Sequence, residues 1–213
     1  MGDYWVVFDY GEVISQRTNA LPALAECYGV PVAEFTAAYW AERAGYDAGC
    51  TDLAYWGAIG DRLGVPVDQR LADRVAALDA DGWLRPEAQT VALLDQLGES
   101  GAALALLSNA PASFARRVRA LPAQAWPRHF RQLLFSGELG MVKPGERIWR
   151  ELFARLDAAP GNCVFLDDRQ ENVDAARTAG MRARRWTDAS DAHRWLASLG
   201  VLPASGSASA NRH

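Results

Sequence analysis

Two short apolar runs in this sequence stop at acid. Trp5-Val6-Val7-Phe8 ends at Asp9, and Cys163-Val164-Phe165-Leu166 ends at Asp167-Asp168. A run of this length, rich in Val and aromatics, reads as a buried strand. A carboxylate just past the C-terminal end of such a strand lies where an open parallel sheet places its ligands. If the two strands are neighbours, three carboxylates converge on one spot. Like charges held that close repel, and a divalent cation with oxygen ligands resolves the repulsion.

What separates the two runs sets the fold class. After the first strand, Gly11 allows a tight departure, and residues from Asn19 to Asp81 carry helical periodicity with no strand signal. Leu21, Leu24, Ala25 and Tyr28 share one helical face. Gly29-Val30-Pro31 and Gly64-Val65-Pro66 are stop signals of Gly followed by Pro. This stretch reads as an all-helical insert of about four helices. Beyond Pro86 the pattern alternates. Helix is predicted from Glu87 to Leu97, with Val91, Leu94 and Leu97 on one face. Ala102 to Leu107 reads as a buried strand, although Ala and Leu alone do not exclude helix. Helix over 112–120, a short strand from Gln132 to Phe135, and helix from Glu146 to Leu156 follow. After the strand at 163–166 come helix from Asn172 to Thr178, a weak strand from Arg182 to Trp186, and helix from Ala192 to Leu199. Strands alternating with helices predict an α/β fold with a doubly wound parallel sheet. The core is predicted to span 1–14 and 86–202, with the helical cap at 15–85. The small polar tail over 203–213 is expected to be disordered.

Composition narrows the partners. The chain has 213 residues, half of them hydrophobic, with a net charge of -4. A core of useful size is affordable, and no polyanion-binding surface is indicated, so nucleic acid is not an expected partner. Cys27, Cys50 and Cys163 form neither a CxxC nor a metal-ligand spacing, which suits a reducing compartment. Cys163 reads as a small buried hydrophobe. No run of about 18 apolar residues exists, so no membrane span is expected. The first residues lack a basic secretory n-region, which leaves the cytoplasm as the default location.

Four chemistry-bearing positions fall just after predicted strands: Asp9, Ser108-Asn109, Lys143-Pro144 and Asp167-Asp168. In a parallel sheet these loops share one edge. A carboxylate, a hydroxyl, a cation and a carboxylate pair are the groups that phosphoryl transfer requires. Val6-Val7-Phe8-Asp9-Tyr10-Gly11-Glu12-Val13, Leu106-Leu107-Ser108-Asn109, Gly140-Met141-Val142-Lys143-Pro144, and Val164-Phe165-Leu166-Asp167-Asp168 through Asn172-Val173 to Ala179-Gly180 form an ordered set. Their order and spacing resemble the haloacid dehalogenase (HAD) superfamily, with a Rossmann-like core and a helical C1-type cap inserted after the first strand.

The resemblance implies a Mg2+-dependent phosphohydrolase acting on a small phosphate monoester through an aspartyl-phosphate. By it, Asp9 is the nucleophile, Ser108 and the backbone near Asn109 hold phosphoryl oxygens, and Lys143 neutralises charge between nucleophile and phosphate. Asp168 matches the usual metal ligand, with Asp167 beside it as ligand or support. Asp9 and the backbone carbonyl of Gly11 complete the metal-facing set. Most phosphatases of the family carry a second Asp two residues after the nucleophile, as general acid and base. Gly11 stands there. The stretch from Phe8 to Ile14 resembles a sugar-phosphatase subgroup that also has Gly, which admits a sugar phosphate as substrate. Glu12 is the replacement candidate for the missing acid. Arg43, Tyr46 and Asp47 are the cap candidates for substrate contact.

Other readings stay open. A 2-haloacid dehalogenase shares the Asp nucleophile, but uses no metal and lacks the acidic pair. A catalytically impaired binding protein on the same core is consistent with Gly11. Removal of diphosphate from a lipid-like substrate is permitted by the Trp-containing cap. Asn172 reads as support for the acidic loop, His129 as a surface or core residue, and Arg182, Arg184 and Arg185 as a solvated edge. Trp40, Trp56 and Trp83 read as packing of the insert, with some free to line a substrate pocket.

Overall fold

The apolar runs become five strands: β1 (Trp5–Phe8), β2 (Ala103–Ser108), β3 (Gln132–Phe135), β4 (Cys163–Asp167) and β5 (Arg182–Arg185). They form one sheet in the order β3-β2-β1-β4-β5, and every pairing is parallel. The structure is a computed structural model and describes residues 4–203. The tail from 204 onward lies outside the described residues.

Both faces of this sheet are covered, which explains why the central strands read as unbroken apolar runs instead of alternating ones. Successive side chains point to opposite faces. Val6, Phe8, Leu104, Leu106, Val164 and Leu166 pack on one side against α5 (Ala88–Glu99), α6 (Ala112–Arg119) and α10 (Ala189–Ser198). Val7, Ala105, Leu107, Cys163 and Phe165 pack on the other, against α8 (Glu146–Leu156) and α9 (Gln170–Thr178). Cys163 is the buried small hydrophobe its strand context implied. The Ala/Leu ambiguity of β2 resolves to strand, because that segment lies between β1 and β3 with both of its faces buried.

Two local readings change. The buried face of α5 carries Thr90, Leu93, Leu94 and Leu97, and Val91 turns to a half-buried flank. Thr90 is drawn inside because its Oγ1 donates to Val13 O at 3.0 Å. A one-turn helix, α7 (Ser136–Leu139), follows β3 with no periodicity long enough to announce it. Among the described residues no helix is long and apolar enough to cross a membrane.

The insert consists of α1 (Leu21–Tyr28), α2 (Val32–Asp47), α3 (Asp52–Leu63) and α4 (Gln69–Trp83). α1 and α3 end at Gly29 (φ 68°) and Gly64 (φ 70°), left-handed conformations where a side chain would be strained. Thr51 and Asp68 cap α3 and α4 by accepting from Ala54 N (3.2 Å) and Leu71 N (2.8 Å). The four helices bury a separate aromatic core around Phe35, Tyr39, Tyr55 and Trp56. The two connections to the sheet domain pair with each other: Gln16 N donates to Arg85 O at 2.8 Å and Glu87 N to Ile14 O at 2.7 Å.

Strand order fixes where a ligand can sit. The chain runs outward from β1 through β2 to β3, then returns to the other side of β1 for β4 and β5. The switch lies between β1 and β4, and the crevice beyond their C-terminal ends is the binding position of such a sheet.

Candidate active site

Register brings the acids together. Phe8 is paired with Leu166 on one side and Leu106 on the other, and Asp9 N donates to Leu166 O at 2.9 Å. Asp9, Ser108 and Asp167 therefore leave the sheet at nearly one level. Lys143, the only lysine in the sequence, enters from the loop between α7 and α8. The side chain of Asn109 fixes that loop from both sides, donating to Lys143 O at 2.8 Å and accepting from Lys143 N at 2.9 Å.

Lys143 Nζ lies 2.7 Å from Asp9 Oδ1 and 2.7 Å from Asp167 Oδ2. The residue is 3 % exposed, so this is a buried bridge with little solvent screening. Burial opposes the charge on Lys143, but Asp167 and Asp9 outweigh it and hold the ammonium above its usual range. Asp9 goes the other way: burial pushes its carboxyl up to about 7, against the pull of Lys143 and with the help of Asp167. Asp168 is also raised, first by burial and then by Asp167 and Glu12.

One oxygen each from Asp9, Asp167 and Asp168 lies within 4.8 Å of the others. Hard oxygen donors packed this closely, with the Asp9 and Asp168 carboxyls pushed up by burial and by the charge of Asp167, suit a divalent cation such as Mg2+. Asn172 Oδ1, in the same cleft, is buried and has no hydrogen-bond partner among the described residues, a further oxygen available to a hydrated ion. The donor set thus fits the metal. Asp167 is heavily engaged already. Its Oδ1 accepts from Arg169 N (2.8 Å) and Asn172 Nδ2 (3.0 Å), and its Oδ2 from Asn172 and Lys143. Its geometry is that of a group holding the lysine and the acidic loop in place. Arg185 Nε donates to Asp168 O at 2.9 Å, tying the next residue to β5.

Above these groups is a cleft of about 190 Å³ that Asp9, Gly11, Lys143 and Asp168 share with Trp40, Arg43, Asp47 and Trp83 of the cap. A smaller recess of about 50 Å³ adjoins it, lined by Ser108 with Arg43, Trp83 and Phe114. Arg43 is buried. Its Nε donates to Asp47 Oδ1 at 2.7 Å, its Nη1 bonds to Tyr39 Oη and lies 3.7 Å from Asp79 Oδ2, and its guanidinium sits over the Trp83 ring. Asp79 accepts from Tyr39 Oη at 2.9 Å, and burial pushes its carboxyl up to about 6.

That shift predicts a pH effect on stability. A folded-state carboxyl raised above its unfolded value keeps its proton longer when folded, so stability falls as pH rises through the window from about 4 to 6. Asp79→Asn is expected to flatten this part of the profile. Urea unfolding of both proteins across pH 4–7 checks it, and parallel slopes would refute it.

The other residues read from sequence take the following places, and Tyr46 departs from the one expected of it. Tyr46 does not line either cleft. It is buried in the cap with its ring stacked on Tyr55, and its hydroxyl bonds to Asp52 (2.6 Å) and Ser113 (2.8 Å), which makes it a cap-to-core fastener. The Asn109 side chain holds the Lys143 loop, which leaves its backbone for any phosphate contact. Glu12 reaches the rim with its side chain 50 % exposed and 3.9 Å from Arg17, on a backbone of φ 56°. His129 pairs with Asp95 at 2.8 Å and lines neither cleft. Of the three cap candidates, Arg43 and Asp47 line the cleft, and Trp40 and Trp83 join them through the way the cap docks over Asp9.

Comparison with known proteins agrees with this architecture. The family model for haloacid dehalogenase-like hydrolases matches residues 6–180. A sesquiterpene phosphatase of Aspergillus oryzae is 29 % identical over 61 % of this chain and 64 % of its own length. A phosphoserine phosphatase of Thermus thermophilus is 37 % identical over 49 % of this chain and 41 % of its own length. The chain thus spans less than two thirds of these curated relatives. Among solved structures, a HAD family enzyme from Bacteroides thetaiotaomicron in complex with magnesium and inorganic phosphate superimposes with a TM-score of 0.68, at 18 % identity, over 88 % of this chain and 96 % of that one. An L-2-haloacid dehalogenase from Xanthobacter autotrophicus does so with a TM-score of 0.69, at 18 % identity, over 95 % and 85 %. These superpositions speak for the fold alone. With a family match across most of its length, a capped parallel sheet and its acids at the switch point, the chain belongs to the haloacid dehalogenase-like hydrolases.

Proposed function

We propose that this protein is a Mg2+-dependent phosphohydrolase of small phosphate monoesters, with Asp9 as nucleophile. The observation that carries the reading is the buried cluster at the switch point: Lys143 Nζ at 2.7 Å from both Asp9 and Asp167, with Asp168 beside them. A halide-releasing site has no need of Asp168, whereas a dianionic phosphoryl group must be brought against a carboxylate and requires cations on more than one side.

Asp9, Asp168 and the Gly11 carbonyl would hold the metal. When bound, the metal supplies positive charge that neutralises the phosphoryl oxygens during attack. The residues do the rest. Lys143 keeps Asp9 in position and offers charge to the phosphoryl group. Ser108 and the backbone from Asn109 donate to its oxygens at the head of α6, where exposed amides favour an anion. Asp9 attacks phosphorus, the ester oxygen leaves toward the cap, and water then releases inorganic phosphate from the aspartyl-phosphate. Trp40, Trp83 and Arg43 close over the cleft and limit water. A space of about 190 Å³ favours a small substrate body; a bulkier one must open the cap. The phosphatase names of two curated relatives, attached to unlike substrates, support the reaction class more than any one substrate.

A screen of phosphate esters, sugar phosphates included, tests the proposal. Phosphate release should appear with Mg2+ and vanish with EDTA. Chloride release from 2-chloropropionate in EDTA, with no phosphate release from any ester, would overturn it in favour of a dehalogenase.

A further inference from the structure

We infer that Asp47, at the end of cap helix α2, is the general acid and base that position 11 lacks; this rests on the phosphohydrolase reading above. One fact removes the usual position: Gly11 has no side chain, and the Trp83 ring of the cap lies in ordinary contact distance, 3.8 Å, of where a Cβ there would stand. In-line displacement sends the leaving oxygen away from the nucleophile. Asp9 attacks from the sheet, so the leaving oxygen emerges toward the cap.

Of the cap groups that line this cleft, Trp40 and Trp83 carry no exchangeable acid, and Arg43 stays protonated at any working pH. Asp47 is the remaining one. Among the core groups, Lys143 is tied to Asp9 and Asp167, Asp168 belongs to the metal-facing set, and Glu12 is a half-exposed carboxylate near Arg17. Asp47 is held firmly. Its Oδ1 accepts from Arg43 at 2.7 Å and its backbone carbonyl accepts from Ser136 Oγ of the core at 2.5 Å. Gly49, two residues on, has φ 107° and fits so closely that a Cβ would lie 2.9 Å from Gly137 O, which fixes the end of α2 over the sheet edge. Three cations face the carboxyl (Arg43, Arg169 and Lys143), yet burial keeps its proton affinity above the usual range.

The proton count closes. As the Asp9 Oδ–P bond forms and the P–O ester bond breaks, the Asp47 carboxyl gives its proton to the departing oxygen and the alcohol leaves. The Asp47 carboxylate then takes a proton from water as the water oxygen bonds to phosphorus and the Asp9–P bond breaks. Inorganic phosphate departs and Asp47 is again protonated.

The Mg2+-loaded full chain and its Asp47→Asn variant should be compared on butyl phosphate and on p-nitrophenyl phosphate. An alkoxide needs a proton to leave and a nitrophenolate does not. Butyl phosphate hydrolysis should fall by roughly 10²- to 10⁴-fold. With p-nitrophenyl phosphate the variant should give a burst of nitrophenol, about one per enzyme, followed by slow turnover, because only water attack then lacks its base. Equal slowing of both esters with no burst, or no slowing, would overturn the assignment, as would a selective loss of the alkyl ester in Glu12→Gln instead. If Asp47→Asn does not fold, Asp47→Glu serves: it keeps the acid but moves it by one methylene, so alcohol release from butyl phosphate should slow while the nitrophenol burst keeps its wild-type rate, and an equally slowed burst refutes the role. Failure of the wild type to hydrolyse any ester is a different result, and removes the phosphohydrolase reading and this inference together.

Discussion

Asp9→Asn should cut Mg2+-dependent phosphate release by roughly 10³-fold or more, because an amide oxygen cannot take up a phosphoryl group and the neighbouring Asp167 carboxylate is occupied by Lys143, Asn172 and Arg169. The substitution is close to isosteric, so the loss belongs to chemistry and not to packing. It carries a second signature. Burial holds the Asp9 carboxyl at about 7 when folded, so ionising it costs stability, progressively from about pH 4 to pH 7 and fully above. Asn removes that cost. The metal-free variant should therefore unfold at a denaturant concentration equal to or higher than the wild type at pH 8. Full retained activity would eliminate the nucleophile assignment. Lost activity with a large drop in stability would mean that the site had collapsed and would leave Asp9 a structural residue.

Lys143→Met should damage both folding and turnover. The side chain is of similar length, but it leaves Asp9 and Asp167 buried against each other with no cation between them. Removing one partner of a buried pair costs about 3–5 kcal/mol, mostly the penalty of the stranded charge. The cost should shrink as pH falls, since protonation of either carboxyl relieves it, and shrink again when Mg2+ is added. Turnover should fall by roughly 10²- to 10³-fold even where the variant is folded, through loss of charge against the phosphoryl oxygens. Urea unfolding at pH 5 and pH 8, with and without Mg2+, together with initial rates, provides the check. An unchanged unfolding midpoint at pH 8 would show that Lys143 is not the charge that balances the cluster.

The two cases illustrate different legibility. The placement of Asp9 and of the Asp167-Asp168 pair was readable because each follows a short apolar run, and a run buried on both faces can hardly be anything but a central strand. The separate job of Asp167 was not readable. Its neighbour in sequence has the same chemistry, and only the hydrogen bonds from Arg169, Asn172 and Lys143 distinguish them. The side chain of Asn109 is a similar case. It grips the Lys143 backbone from a segment 34 residues away, which nothing local announces.

The cap shows the limit most clearly. Helical periodicity predicts which residues of α1 to α4 face inward, and Gly29 and Gly64 mark where helices stop. Periodicity does not say how the finished bundle is set down on the sheet. Tyr46, named as a substrate contact, is turned into the bundle and fastened to Ser113, while Asp47, the next residue along, looks into the cleft. By itself the sequence determined the capped α/β architecture and the chemistry gathered on one sheet edge, because strand ends and short loops are local and parallel pairing aligns them. Only the tertiary structure decided which cap groups stand over Asp9 and what fills the space beside Gly11, because docking of two separately packed cores depends on the shapes of whole surfaces, which no local pattern encodes.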